Sequence, residues 1–503
     1  MAEVLILFAM VIGLLMIGAP VGVSIGLSSI VFLLVYSNGS LTSVANTLFD
    51  AFHGHYTLLA IPFFILAAAF MSTGGVAQRI IRFAVACVGH LPGGLAIAGV
   101  FACMLFAALS GSSPATVVAV GSIVIAGMTQ VGYPKEFGAG VVCNAGTLGI
   151  LLPPSIVMVV YAATVDVSVG RMFLAGVIPG IIAGLMLMIA IYGYARWKNL
   201  ARGKWAGWRE IGRSGADAFW GLMLVVVVLG GIWGGVFTPT EAAAMAAVYA
   251  FIVANFIYRD MGPLKAKASE GQPVLLNEKN AETSLMAAGA GVAVLGGGSG
   301  LVGGNPAPRA DDPTRPTSLL RKPQALLTAW FHKDTQEVLY DAGKITITLM
   351  FIIANALILK HVLTEEQLPQ HITQAMLSWG LGPVTFLIVV NLILLIGGQF
   401  MEPSGLIVIV APLVFPIAMQ LGIDPIHLGI IMVVNMEIGM ITPPVGLNLF
   451  VTSGVANMSM LAVVKAALPW LGVLVIFLIM VTYIPILSTW LPTMMMGPET
   501  IIR

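Results

Sequence analysis

Two apolar stretches of this chain are each interrupted by a glycine and, four residues later, a double proline. They read GILLPP at 149–154 and GMITPP at 439–444. A helix cannot continue through two prolines, because proline has no N–H group and its ring collides with the preceding turn. In lipid, unwound backbone is tolerated only where protein surrounds it or where it lines a polar cavity. The matched interruptions therefore predict a binding site near the middle of a membrane.

The composition agrees with a membrane setting. Hydrophobic residues make up 58% of the 503 residues and charged residues only 9%, with a mean hydropathy of +0.99. In a soluble domain, roughly a quarter of the residues are charged. The chain is therefore predicted to be an all-α polytopic membrane protein. Its net charge of +1 gives no indication of a nucleic-acid partner, and we expect none.

The two halves of the chain share one pattern of prolines, glycines and asparagines at a nearly constant offset. Such internal repeats are how many secondary transporters are built, often with the second copy inverted. We predict a first repeat at 1–195, a connector at 196–218 and a second repeat at 219–503. The matched pairs are Pro92 with Pro383, Pro134 with Pro425, Gly138 with Gly429, Asn144 with Asn435, Gly149 with Gly439, Pro153 with Pro443, and Pro154 with Pro444.

Each repeat contains five apolar segments that we interpret as membrane spans, the fourth being the interrupted one. They lie near 3–19, 21–37, 57–73, 137–165 and 172–195, and then near 219–237, 240–258, 345–361, 427–455 and 466–488. An odd number of spans per repeat turns the second repeat upside down. With both termini outside, most lysines and arginines fall on the cytoplasmic side, as the positive-inside rule requires. Residues 260–340 are predicted to be a flexible cytoplasmic insertion.

Between the third and fourth spans of each repeat, residues 92–131 and 382–420 predict re-entrant helical hairpins. Their tips are polar, reading SGSSPAT at 110–116 and GGQFMEPS at 397–404. Hydroxyl groups and unpaired carbonyls there offer oxygen ligands for a small cation, and the helix N-termini beyond the tips favour an anion. The alternative for the first tip is a small-residue helix contact. An interrupted partner helix in both repeats favours the site.

Two acidic residues, Glu402 and Glu437, are predicted to lie near the membrane interior. Ionisable groups are expensive to bury in lipid, so such residues indicate function. The alternative is a protonated carboxyl group that satisfies interrupted backbone. For Glu437 the two interpretations stay balanced, because its counterpart in the first repeat is Thr147 or Gly146.

Two inverted repeats, each with a hairpin followed by a proline-broken helix, resemble the large membrane subunit of tripartite ATP-independent periplasmic (TRAP) transporters. The resemblance covers the chain except the 260–340 insertion. It implies an elevator-type secondary transporter, multi-pass in the bacterial inner membrane. The distribution of lysines and arginines predicts that both termini are periplasmic. It also implies import of an organic acid anion, such as a C4-dicarboxylate or sialic acid, with a sodium gradient. The implied partners are a small four-helix membrane subunit and a periplasmic substrate-binding protein.

The resemblance also implies two sodium sites, each between a hairpin tip and a broken helix, with the substrate between the tips. No arginine lies there, so we expect the substrate charge to be met by sodium, helix N-termini and backbone N–H groups. No organic cofactor is expected. The first sodium site is predicted at Ser112, Ser113, Asn144, Thr147 and Gly149, the second at Gly398, Gln399, Glu402, Asn435, Gly439 and Thr442, and the substrate contacts at Ser110, Ser113, Pro154 and Pro444.

Two other functions remain open at this point. A stand-alone sodium and dicarboxylate symporter of similar architecture would need no binding protein. An intramembrane protease or lipid-modifying enzyme is the more distant alternative, and the sequence argues against it. It contains no His-Glu-x-x-His motif and no Gly-x-Ser-x-Gly motif with a plausible base. We therefore predict that the chain is not an enzyme.

Overall fold

A computed structural model describes residues 2–36, 56–72, 74–264, 328–365 and 382–498, together with the single positions 46, 49, 367 and 374. Across these residues the chain is helical, with no β-strand. Seven of the described helices are long and apolar enough to cross a membrane, or eight if one bent pair counts as a span. The predicted all-α polytopic membrane protein is confirmed at this level. The inverted relation of the two halves stays a prediction.

The helices of the first half are regular apart from short 3₁₀ turns at Tyr56–Leu59 and Leu148–Ile150. They are α1 (Ala2–Met16), α2 (Val21–Tyr36), α3 (Ala60–Met71), α4 (Gly74–Val88), α5 (Gly94–Ser110), α6 (Ser113–Gln130), α7 (Lys135–Thr147), α8 (Ile156–Val165) and α9 (Val169–Trp197).

The described helices of the second half include a π-helical turn at Val253–Ile257. They are α10 (Trp208–Trp233), α11 (Pro239–Ile252), α12 (Lys333–Glu365), α13 (Pro383–Gly398), α14 (Pro403–Gln420), α15 (Pro425–Gly439), α16 (Leu447–Ala456), α17 (Met460–Tyr483) and α18 (Ile486–Met496).

Each predicted hairpin consists of two helices joined by a short turn. Helix α5 ends at Gly111, whose φ of 57° is left-handed, and α6 begins after Ser112 with Pro114 in its first turn. Helix α14 begins after Glu402 with Pro403 in its first turn. Proline suits these positions because the first N–H groups of a helix have no partner within it. The two tips are therefore compact, and each opens into the N-terminus of a helix.

Both double prolines lie where a helix is interrupted. After Thr147 the chain passes through one 3₁₀ turn, and α8 resumes when the Ser155 side chain accepts a hydrogen bond from the N–H of Met158. After Gly439 the chain loops to Leu447, and the N–H of Asn448 returns to the carbonyl of Met440 at 3.0 Å. These loops leave backbone groups available beside the hairpin tips.

Two helices begin before the predicted spans 219–237 and 345–361. The connector 196–218 contains the start of α10 at Trp208, and the predicted insertion 260–340 contains the start of α12 at Lys333. An apolar window detects the part of a helix that lies in lipid, whereas these helices continue as charged turns beyond it. Glu210, for example, pairs with Arg82 of α4 at 2.7 Å. The remainder of the insertion, 265–327, lies outside the described residues.

The two halves interlock, and this positions the site. Helix α6 packs on α16, α7 packs on α17, and α14 packs on α8, so each of these three contacts joins one half to the other. Within each half, α6 packs on α7 and α13 packs on α15. Helix α12 lies against α2, α3 and α14. The two tips consequently approach each other beside one long helix, α12.

Candidate functional site

The first tip is held by its own hydroxyl groups. Ser110 Oγ lies 2.9 Å from Thr116 Oγ1 and also donates to the carbonyl of Ser112 at 3.2 Å. Thr116 Oγ1 donates to the same carbonyl at 2.9 Å. All of these groups except Ser112 are buried. The Ser112 carbonyl thus already accepts hydrogen bonds from two hydroxyl groups of the tip.

The broken helix of the first half touches this tip without intervening side chains. A Cβ atom on Gly149 would lie 2.7 Å from the Ser112 carbonyl oxygen and 2.9 Å from the Cα of Ser113. Ser113 Oγ donates to the carbonyl of Gly146 at 2.9 Å. A similar contact occurs at Gly111, where a Cβ would lie 2.7 Å from the carbonyl oxygen of Pro154. Backbone oxygens are therefore concentrated where tip and broken helix meet.

The second tip meets its broken helix in the same way. A Cβ atom on Gly439 would lie 2.8 Å from the carbonyl carbon of Gly398, and one on Gly398 would lie 3.2 Å from the Cα of Gly439. The Gln399 carbonyl accepts the N–H of Gly446, beyond the double proline, at 3.0 Å. The structure brings Gly398, Gln399 and Gly439 together, as predicted for one site.

Glu402 caps the N-terminus of α14. Its carboxylate accepts hydrogen bonds from the Ser404 hydroxyl at 2.9 Å and from the N–H of Gly405 at 3.3 Å. A carboxylate at this position is stabilised by the unpaired N–H groups and the dipole of the helix. Its geometry is therefore that of a helix cap that also faces the space between the tips.

The repeat aligns Asn144 with Asn435. Both are fully buried, and in both the side-chain nitrogen is hydrogen-bonded while the side-chain oxygen is not. Each side-chain N–H₂ group is bonded: Asn144 donates to the carbonyls of Gly140 and Ala467, and Asn435 to the carbonyl and side-chain oxygens of Asn391. Each side-chain oxygen, in contrast, has no hydrogen-bond partner among the described residues. A buried oxygen without a partner is unfavourable unless a ligand satisfies it. These two oxygens fit a bound cation.

Thr147, Thr442 and the buried Glu437 each have an oxygen that can still accept a ligand. The hydroxyls of Thr147 and Thr442 donate back to carbonyls of their own helices, those of Asn144 and Ile438, at 2.7 and 2.6 Å. Their lone pairs remain for a cation. Glu437, two residues after Asn435, is 1% exposed and has one carboxyl oxygen without a partner in the described part of the chain.

A cavity of about 670 Å³ lies between the two tips. Of the predicted site residues, Ser112, Ser113 and Glu402 line it, and the two asparagines and the threonines do not. Ser110 and Pro154 instead line a separate pocket of about 10 Å³, which is too small for an organic anion. Pro444 lines neither. The structure therefore places three of the predicted sodium ligands on the wall of the cavity and the other predicted sodium ligands outside its lining.

Sequence reasoning missed three residues of this region. Lys344 and Asp341 of α12 line the cavity, although the predicted span began only at 345. Asn448 of α16 is buried and donates to Ser113 Oγ, which links the first tip to the second half. The first two follow the helical spacing of Ile345, Thr348 and Leu349 and could have been found from it. Nothing local predicts the contact of Asn448.

The chain matches known membrane proteins over nearly its whole length. The family model for the tripartite ATP-independent periplasmic transporter, DctM component, matches residues 8–303 and 326–487. The C4-dicarboxylate TRAP transporter large permease protein DctM of Vibrio cholerae is 66% identical, covering 99% of this chain and 100% of the relative. The protein of that name from Pseudomonas aeruginosa is 55% identical over 93% of each chain.

Among solved structures, Neisseria gonorrhoeae MtrF superimposes with a TM-score of 0.52 at 12% identity. The match covers 90% of this chain and 85% of that one. At this identity the likeness concerns the fold alone.

Proposed function

Because this chain belongs to the family of DctM components of tripartite ATP-independent periplasmic transporters, we propose that it is a sodium-coupled permease subunit importing a C4-dicarboxylate. The family sets the class of protein. The substrate class follows the names of the Vibrio and Pseudomonas relatives. In this proposal a periplasmic binding protein delivers the anion, a small membrane subunit completes the complex, and the chain lies in the bacterial inner membrane.

The observation that carries the sodium proposal is the pair of unsatisfied oxygens on Asn144 and Asn435. Sodium is a hard cation that prefers oxygen ligands, and each asparagine lies on a broken helix, within five residues of the glycine that faces a hairpin tip. Bound sodium would satisfy the asparagine oxygen and use the carbonyls exposed where the helix is interrupted. The remaining ligands of the two proposed sites are Ser112, Ser113, Thr147 and Gly149 at one, and Gly398, Gln399, Glu402, Gly439 and Thr442 at the other.

The anion would occupy the cavity between the tips. Sodium at either side lowers the electrostatic cost of holding its carboxylates, and the N-terminus of α6 presents N–H groups from Ser113 onward. The tips and broken helices would move together as the elevator that carries the anion across the bilayer. The packing of α6 on α7 and of α14 on α15 supports the movement of each tip together with its broken helix.

Reconstitution tests this proposal. We expect proteoliposomes holding this chain and the small subunit to accumulate labelled succinate presented by the binding protein when sodium is high outside. Replacing the sodium gradient with a potassium gradient should abolish accumulation. Equal accumulation under both gradients would contradict sodium coupling. Uptake of free succinate without the binding protein would favour the stand-alone symporter instead.

A further inference from the structure

One wall of the cavity belongs to a helix that lies outside both hairpins and both broken helices. Along α12, residues 341, 344, 345, 348, 349 and 352 line the cavity, a spacing of three and four that places them on a single helical face. At 1.5 Å per residue, this face follows the cavity for roughly 16 Å. An anion in the cavity is therefore bordered by one long face of α12 as well as by the tip residues that line it.

Lys344 is the single positively charged residue among the described residues that line this space. It lies at an exposed position of α12, and its ammonium forms no ion pair with a carboxylate in the described part of the chain. The acidic residues that share the cavity are Asp341 and Glu402. Glu402 already accepts hydrogen bonds from Ser404 and Gly405, so its charge is directed to the start of α14.

A dianion in this space needs positive charge at both of its ends. One carboxylate can be held at the first tip, beside the N-terminus of α6 and the proposed sodium site. The other carboxylate then extends toward α12, where Asp341 would repel it and Lys344 attracts it. An ammonium without a partner, in a partly enclosed space, forms a stronger ion pair than one at an open surface.

We propose that Lys344 binds the second carboxylate of the substrate and selects dicarboxylates over monocarboxylates. This proposal rests on the proposed function, because it assigns the charge partner within the same cavity. It gives α12 a role in specificity beyond packing. It also adds a protein cation to a site for which the sequence predicted only sodium, helix N-termini and backbone N–H groups.

Direct binding separates this proposal from the transport proposal. The purified two-subunit complex is titrated in saturating sodium with labelled succinate, and with succinamate as a competitor that retains one carboxylate. In the wild type, succinate should bind more tightly than succinamate. Lys344→Met should weaken the binding of succinate by roughly tenfold or more, which is the usual scale for a charge-assisted contact. The affinity of this variant for succinate should then be close to its affinity for succinamate. Lys344→Arg should keep the preference.

The matched control is Lys333→Met on the same helix. Its side chain is 86% exposed, pairs with Glu337 at 3.9 Å and does not line the cavity, so succinate affinity should not change. Asp341→Asn should tighten the binding of succinate, because it removes a negative charge that repels the carboxylate. If Lys344→Met keeps the wild-type ratio of succinate to succinamate affinity, Lys344 is not the charge partner. Sodium-independent uptake by the wild type would instead overturn the transport proposal and leave this binding comparison interpretable.

Discussion

At the scale of single residues, the side chains of the two repeat-related asparagines, Asn144 and Asn435, are bonded at the nitrogen but not at the oxygen. Both donate through the amide nitrogen to neighbouring carbonyls, which fixes the side chain, and both leave the oxygen unsatisfied. Fixing one end of an amide while leaving the other without a partner is unfavourable for folding alone. The arrangement becomes favourable once a cation binds, which is why these positions offer the most direct test of the sodium sites.

We predict that Asn144→Ala and Asn435→Ala each raise the sodium concentration needed for half-maximal succinate uptake by roughly tenfold or more, because a charge-assisted contact is lost. The measurement is initial uptake rate against sodium concentration in proteoliposomes. Asn255→Ala is the control. Asn255 is also fully buried, and its side-chain oxygen has no partner among the described residues, but it lies in the π-helical turn after α11 and lines neither pocket. An equal effect in all three variants would mean that lost packing, rather than lost sodium, explains the result.

Residue-level prediction from sequence succeeded where the backbone is constrained locally. Glycine and proline restrict the chain wherever they occur, so GILLPP and GMITPP located both interruptions. Contacts across the fold carry no such signal. Asn448 reaches Ser113 over a separation of 335 positions, and only the packing of α16 on α6 brings them together. Lys344 was missed because an apolar window begins after it, although its side chain faces the cavity.

At the scale of elements, the contact between a tip and its broken helix depends on the absence of a side chain. Gly149 and Gly439 each place a Cα where an added methyl group would lie within 3 Å of the backbone of the facing tip. Backbone cannot move aside as a flexible side chain can. A methyl group there must separate the tip from the broken helix, and the oxygens of both proposed sodium sites would separate with them.

We expect Gly149→Ala and Gly439→Ala to destabilise the protein by about 1–3 kcal/mol, the usual cost of overpacking, and to remove most sodium-dependent uptake. Thermal unfolding with and without sodium measures the loss of stability and the loss of sodium binding, since the stabilisation by sodium should shrink. Initial uptake rates in proteoliposomes measure the loss of transport. Gly454→Ala in α16 and Gly472→Ala in α17 are controls, because nothing lies within 4 Å of a Cβ at either position. Normal sodium stabilisation in the Gly149 and Gly439 variants would argue against sodium at these junctions.

Helix ends were harder to predict than helix interiors. The charged first turns of α10 and of α12 lie beyond the apolar windows, yet both helices continue through them. A helix is kept intact by hydrogen bonds along its own backbone and by contacts such as that between Arg82 and Glu210, neither of which depends on hydropathy. Hydropathy therefore identifies spans, and the ends require the tertiary structure.

At the scale of the whole molecule, the two halves face one another through matching elements. Helices α6 and α14 each follow a tip, and each contains 18 residues, ending at Gln130 and at Gln420. Each packs on the other half, α6 on α16 and α14 on α8. If the second repeat is inverted, these corresponding helix ends must reach opposite faces of the membrane. Interlocking then places the two tips near the middle of the bilayer.

Accessibility labelling tests this inversion. Gln130 and Gln420 are both exposed, so Gln130→Cys and Gln420→Cys should each react with a membrane-impermeant maleimide from one side only. The background needs Cys87→Ser alone, because Cys103 and Cys143 are buried. We expect Gln420→Cys to label in intact spheroplasts and Gln130→Cys to label only in inside-out vesicles. Labelling of both from the same side would refute the inverted repeat, and the two tips could then not enter the membrane from opposite faces.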